Sequence, residues 1–274
     1  VTGEEMRTIV HLSDMHFGRV DHSVITPLIE TIGRIKPDLV AVSGDLTQRA
    51  RSNQFKEARA FLDALPKPQI VVPGNHDVPL HNVAARFVQP LRKYRRYITA
   101  DLRPFYYDDE IAVIGVNTAR SLTIKGGRIN EQQVAWMSER LCACDPEVVK
   151  IVVTHHPFDL PEGHDERKLV GRAQMAMKAL ASCGADVFLA GHLHISHTSH
   201  STTRYQIEGH SALVLQAGTA TSTRGRGEAN SFNLIHVDRP HIAVERLEWQ
   251  PDGAEFKTAT TERFIHAPQG WVRT

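Results

Sequence analysis

The sequence predicts an α/β fold with at least a partly parallel sheet. Seven short apolar runs rich in Val and Ile recur along the chain, stretches of helical period separate them, and each run stops abruptly in polar residues. Strands buried on both faces lack the alternation of a half-solvated sheet. Alternation of strand, helix and strand then requires right-handed crossovers. No internal repeat or low-complexity tract interrupts the pattern, so one domain over 1–274 is expected.

The elements come in order. Run 8–12 precedes an apolar stripe of Val24, Ile25, Leu28, Ile29, Ile32 and Ile35, one face of a helix. Run 38–42 leads to a second stripe, Phe55, Ala58, Phe61, Leu62 and Leu65, and run 69–72 comes next. Residues 78–110 read as a helical insertion, basic and aromatic from Phe87 to Tyr97 and divided by Pro90. After run 111–116, Asn130 and Gln133 form a capping box for a helix carrying Val134, Met137 and Leu141. Runs 148–153, 186–190 and 212–215 complete the buried strands. Residues 200–265 are strand-rich, with 232–237 and 242–247 extending a second, antiparallel sheet. The tail from Thr258 is weakly patterned and reads as a loose segment or an arm for a homodimer.

Composition narrows the function. Apolar residues are 41% and charged residues 23%, as in an ordinary folded globule. A net charge of +1 supplies no global field for nucleic acid or an anionic membrane, so neither is an expected partner. No apolar run reaches the roughly 18 residues of a membrane span, and the first residues lack a secretory pattern. Three cysteines, Cys142, Cys144 and Cys183, suit free thiols in a reducing cytoplasm better than a disulfide framework. The 16 histidines stand out. Histidine is the commonest metal ligand and the usual acid–base residue.

The polar residues at the strand exits carry the chemistry. The exits present Asp14 and His16, then Asp45 after Gly44, Asn75-His76-Asp77 after Gly74, His155-His156-Pro157, and His192 and His194 after Gly191. Ligands of open α/β sheets bind outside the carboxyl ends of the strands. Asp14, His16, Asp45, Asn75, His155, His192 and His194 are seven groups, too many for one tetrahedral zinc and suited to two ions sharing a bridge. Turn chemistry alone would explain Asp and Asn at such places, but not histidine at several exits.

These five blocks, in this order over residues 14–194, resemble the signature of calcineurin-like metallophosphoesterases. The overall look is similar to bacterial enzymes of the class III cyclic-nucleotide phosphodiesterase kind. The resemblance implies a four-layer α/β/β/α sandwich and two divalent or trivalent ions, with Mn, Fe and Zn all compatible with such ligands. It assigns Asp14, His16 and His194 to one ion, Asn75, His155 and His192 to the other, and Asp45 to the bridge. It further implies that His76 contacts the phosphate or helps the leaving oxygen, with Asp77 orienting its imidazole.

The expected activity is hydrolysis of a small phosphodiester, cyclic nucleotides included, by a hydroxide shared between the ions. The same core also suits a nucleotide or nucleotide-sugar-lipid pyrophosphatase or a phosphomonoesterase. In the small-residue loop 219–227, Arg224 and Arg226 are candidates for gripping substrate phosphate. His156 points away from His155 and reads as a supporting residue, His11 as a core histidine, and His197 and His200 as a polar loop. The remaining histidines, His81 among them, read as surface or structural.

Overall fold

A computed structural model describes residues 6–80, 82–121, 126–224 and 227–274. His81 and Arg226 lie outside the described residues. The chain runs β1 (Arg7–Leu12), α1 (His22–Ile35), β2 (Leu39–Val42), α2 (Ser52–Ala64) and β3 (Gln69–Val71). It continues through α3 (Val83–Val88), α4 (Arg92–Tyr97), β4 (Phe105–Tyr107), β5 (Ile111–Gly115), α5 (Glu131–Cys142) and β6 (Val149–Val153). Then come α6 (Ala173–Ala181), β7 (Ala185–Ala190), β8 (His197–His200) and β9 (Leu213–Gln216). The chain closes with β10 (Ser231–Asp238), β11 (His241–Gln250), β12 (Glu255–Ala267) and β13 (Gly270–Arg273).

Two sheets form. One has the order β13-β12-β11-β10-β1-β2-β3, the other β4-β5-β6-β7-β9-β8. The parallel cores are β1-β2-β3 and β5-β6-β7-β9, flanked by antiparallel strands. Successive residues of a strand point to opposite faces, and here both faces are apolar. Val10, Leu12, Val40 and Val42 meet Val24, Leu28, Ile32, Phe55 and Leu62 of α1 and α2. Their neighbours Ile9, Leu39 and Ala41 turn inward to Ile151, Val153, Val187 and Leu189 of the other sheet. That sheet's outer residues, including Val152 and Phe188, pack on Met137, Leu141, Met177 and Leu180 of α5 and α6. Helix, sheet, sheet and helix are therefore the four layers the resemblance implies.

The helix starts obey local chemistry. The Asp21 carboxylate accepts the Ser23 amide at α1, and Asn130 and Gln133 close the capping box of α5. Among the described residues no helix is long and apolar enough to cross a membrane.

Five expectations need correction. Runs 232–237 and 242–247 do not extend a second, antiparallel sheet; as β10 and β11 they join β1 in the first sheet, which is mixed. The tail from Thr258 is not loose, because it forms most of β12, which pairs with β11, and all of β13, which pairs with β12. Trp271 fixes it, buried to 1% exposure with its indole N–H donating to Asp186 at 2.8 Å. Residues 78–110 are helical only in the six-residue α3 and α4, and their end forms β4 on the edge of the second sheet. His197 and His200 lie in the edge strand β8 and not in a loop. Finally, Cys142 and Cys183 are joined by a disulfide, 41 residues apart with Cα atoms 4.5 Å from each other, while Cys144 is a buried free thiol. The last turn of α5 meets the turn after α6 there. That bond is at odds with the reducing compartment inferred from the cysteine count.

Trp271→Ala should cost about 3–5 kcal/mol, the usual range for emptying a large buried aromatic site. A urea unfolding curve should show the midpoint falling with little change in slope. A shift of a few tenths of a kcal/mol would mean the tail adds little to the core.

Candidate metal centre

The seven side chains predicted from the strand exits meet at one rim, and both sheets contribute. Asp14 and His16 come after β1, Asp45 after β2 and Asn75 after β3, whereas His155 comes after β6 and His192 and His194 after β7. They fall into two groups. In the first, His16 Nε2 lies 3.1 Å from His194 Nε2 and 3.4 Å from Asp14 Oδ1, and His194 Nε2 is 3.2 Å from that same oxygen. In the second, Asn75 Oδ1 is 3.1 Å from both His155 Nε2 and His192 Nδ1, which are themselves 3.3 Å apart. Asp45 Oδ2 stands between, 3.8 Å from His16 Nε2 and 3.4 Å from His155 Nε2.

These separations test the fit to metal. Ligand atoms about 2.1 Å from a cation are about 3.0–3.4 Å from one another along the edges of an octahedron or tetrahedron. The two groups match that spacing. Asp14 Oδ1 is also buried without a hydrogen-bond partner, facing its group. The residues fit cations.

Electrostatics points the same way. Burial acts to push carboxyls up and imidazoles down. Against its burial, Asp14 is held well below the usual carboxylate range by His194 and His16, and Asp45 is lowered by His155. Against its burial, His155 is pushed up to about 9 by Asp45, and His194 is raised by Asp14. Burial wins at His16, which is lowered, and at His192, which falls to about 3. Two sealed carboxylates draw protons onto the nearest imidazoles, so the cluster needs positive charge from some source.

The backbone is bent to make this possible. Asp14, His16, Asp45, His192 and His194 all adopt left-handed φ between 51° and 72°, a conformation that costs energy in non-glycine residues and concentrates at functional sites. Glycines give the carboxylates room. A Cβ at Gly74 would lie 2.1 Å from Asp45 Oδ1, and one at Gly191 would lie 1.7 Å from Ser13 Oγ. Hydrogen bonds then fix several of the ligands. Ser13 Oγ and the His192 amide donate to Asp14 Oδ2 at 2.7 and 2.9 Å, and the His76 amide donates to Asp45 Oδ1 at 2.8 Å. His155 Nδ1 donates to the Ser43 carbonyl at 2.7 Å, leaving its Nε2 lone pair for a cation.

Other residues behave differently from expectation. Asp77 does not orient His76. Its buried carboxylate accepts the amides of Leu46, Thr47 and Gly74 and the Thr47 hydroxyl, stitching the loops after β2 and β3 together. Burial, then Asp45, push the Asp77 carboxyl up to about 7 against those bonds. The Gln48 carbonyl takes the orienting role, 2.9 Å from His76 Nδ1. With Nδ1 donating there, His76 Nε2 accepts from Arg224 Nη1 at 3.1 Å. His156 packs against the rings of His155 and His192 at 4.9 and 4.7 Å and bonds Thr118 at 2.8 Å. Its ring also comes within ligand range of those two histidines. His11 is buried on Ser43 Oγ at 2.9 Å, and burial lowers it to about 3.

The sequence reading missed Ser13, Gln48 and the clamp made by Asp77. Adjacency to Asp14 was the only signal for Ser13. Gln48 acts through its backbone, which leaves no trace in residue type.

Residues 7–196 match the calcineurin-like phosphoesterase family, about two thirds of the chain and all seven ligand positions. The chain belongs to that family. Among curated relatives, the glycerophosphodiester phosphodiesterase GpdQ of Enterobacter lignolyticus is 26% identical over 166 residues, 56% of this chain and 58% of that protein. The chain thus spans less than two thirds of that relative's length. A probable cyclic nucleotide phosphodiesterase of Synechococcus is 24% identical over 260 residues, covering 90% of this chain and 89% of that one. Among solved structures, a dimetal phosphatase from Danio rerio shares the fold with a TM-score of 0.66 at 15% identity, covering 93% of this chain and 98% of that one.

Elemental analysis of metal-loaded protein should give two equivalents per chain. Asn75→Ala should retain about one, because only the second group loses a donor. Asp45→Ala should hold neither ion firmly. Two full equivalents in Asp45→Ala would remove that carboxylate from the bridge.

Proposed function

We propose that the chain is a dinuclear-metal phosphodiesterase acting on small substrates. The observation that carries this reading is the Asp45 carboxylate held within 4 Å of an imidazole from each ligand group. Two ions, when bound, acidify a water to a nucleophile near neutral pH and neutralise charge on the phosphoryl oxygens.

The chain's own residues do the rest. Asp14, His16 and His194 would hold one ion and Asn75, His155 and His192 the other, with Asp14 and His155 fixed by their bonds to Ser13 and Ser43. The Gln48 carbonyl keeps His76 Nδ1 protonated and leaves Nε2 as the nitrogen available to substrate. A protonated His76 can then hydrogen-bond the scissile phosphate or hand a proton from Nε2 to the departing oxygen. Arg224 meets that same nitrogen, so its guanidinium must leave His76 before the histidine can serve substrate.

Cyclic nucleotides are the substrates to examine first, since the relative that aligns along 90% of this chain is a probable cyclic nucleotide phosphodiesterase. A panel of cyclic AMP, a bis-aryl phosphodiester, an aryl monoester and a nucleotide-sugar diphosphate, each with metal-loaded protein, tests the reading. Hydrolysis confined to the monoester would overturn it.

His76→Ala should keep both metals yet lose about 10²–10⁴ in turnover, the usual scale for general acid–base assistance. The loss should shrink for nitrophenolate leaving groups, which need little help to depart. Equal loss on good and poor leaving groups would assign His76 to phosphate binding alone.

A further inference from the structure

Beside the metal centre, on the side of His76, lies a cavity of about 250 Å³. Asn75 and His76 form its inner edge, and Arg19, Arg49, Arg86 and Arg224 contribute to its wall. No carboxylate lines it among the described residues. Four guanidiniums around one small space are out of proportion to a chain whose net charge is +1. Burial lowers the Arg224 guanidinium; Asp45 and Asp14 beyond the cavity wall favour its charge, while Arg19 and Arg49 oppose it. Those carboxylates lie outside the cavity, so an anion within it would be drawn to the arginines that line it.

The arginines are not equivalent. Arg86 is buried and donates to the carbonyls of Pro79 and Ser121 at 3.0 and 2.7 Å, so it shapes the wall. Arg224 instead makes replaceable contacts, with Gln48 Oε1 at 3.4 Å and His76 Nε2 at 3.1 Å. Arg19 is exposed at the mouth. The volume is below the roughly 300–1,000 Å³ of pockets that bury a whole drug-sized ligand, so the space suits one part of a substrate.

We infer that this cavity binds a second oxyanion of the substrate, a carboxylate or phosphate carried on the leaving-group side of the scissile phosphodiester. The inference rests on the phosphodiesterase reading. Arg224 and Arg19 would grip that group, and the grip would draw Arg224 off His76 and free Nε2 for the reacting phosphate. Charge on the leaving group would thereby improve binding and release His76 together.

The test uses methyl 4-nitrophenyl phosphates bearing at the ring 3-position a carboxylate, a phosphonate or a neutral carboxamide. Only the nitrophenolate departs readily, so the leaving-group side is defined. With wild-type metal-loaded protein, kcat/KM should favour an anionic ester over the carboxamide by about 10- to 100-fold, the scale of charge-assisted hydrogen bonds. The better of the two anionic esters identifies the group. Arg224→Gln and, independently, Arg19→Gln should each cut that ratio by about tenfold or more at unchanged metal content. The change in that ratio from wild type to variant cancels the esters' intrinsic reactivity, so a general loss of rate does not disturb it. A wild-type ratio near one, or one that survives in Arg19→Gln and in metal-replete Arg224→Gln, would overturn the inference. Failure to turn over any of the three esters would instead overturn the phosphodiesterase reading itself.

Discussion

The Asp45 carboxylate, sealed from water between two groups of imidazoles, sets the terms for everything around it. An ionised carboxylate removed from solvent costs several kcal/mol unless charge and hydrogen bonds compensate. Here one oxygen takes the His76 amide and the other faces His16 and His155. To put it there, the chain leaves β2 through Gly44 and takes left-handed backbone at Asp45 itself. The neighbouring loop must carry Gly74, because any side chain would occupy the place of Asp45 Oδ1. Asp77 then ties the two loops so that neither can relax the strain. The strained backbone persists because packing and hydrogen bonds over-determine it.

Much of this was legible in the sequence, and the reasons differ by layer. Strands such as β6 and β7 are buried on both faces, so they show as unbroken apolar runs with polar ends. Edge strands leave no such mark. β8 is His-Thr-Ser-His, half-buried throughout, and β12 exposes most of its middle, so hydropathy alone reads both as irregular. The disulfide was hidden because its partners, at the end of α5 and in the turn after α6, meet only through the fold. The candidate ligands stood out in the sequence because metal chemistry limits residue type. The role of Asp77 did not, because its carboxylate serves backbone amides that any residue could offer.

Rigid and variable parts of the site have separate origins. The ligands sit on exits of paired parallel strands, braced by hydrogen bonds between neighbouring loops, such as Asp14 N to Gly44 O at 3.1 Å and His16 N to Asp45 O at 2.9 Å. The arginine-lined cavity beside them is built differently. It draws on the stretch between β3 and α4, which supplies Arg86, and on the loop between β9 and β10, which supplies Arg224. The candidate metal ligands and the Arg224 side of the cavity wall thus come from different connections of the chain.

Arg224 joins the two parts. Its carbonyl lies 3.3 Å from His194 Nδ1, the ring nitrogen opposite the one facing Asp14, and its guanidinium reaches His76. A backbone shift at this residue would disturb His194, a candidate metal ligand, whereas a side-chain shift would free His76 alone. Rotamer changes cost far less than moving a packed backbone. The arrangement thus leaves the guanidinium able to swing away from His76 while the carbonyl stays against His194.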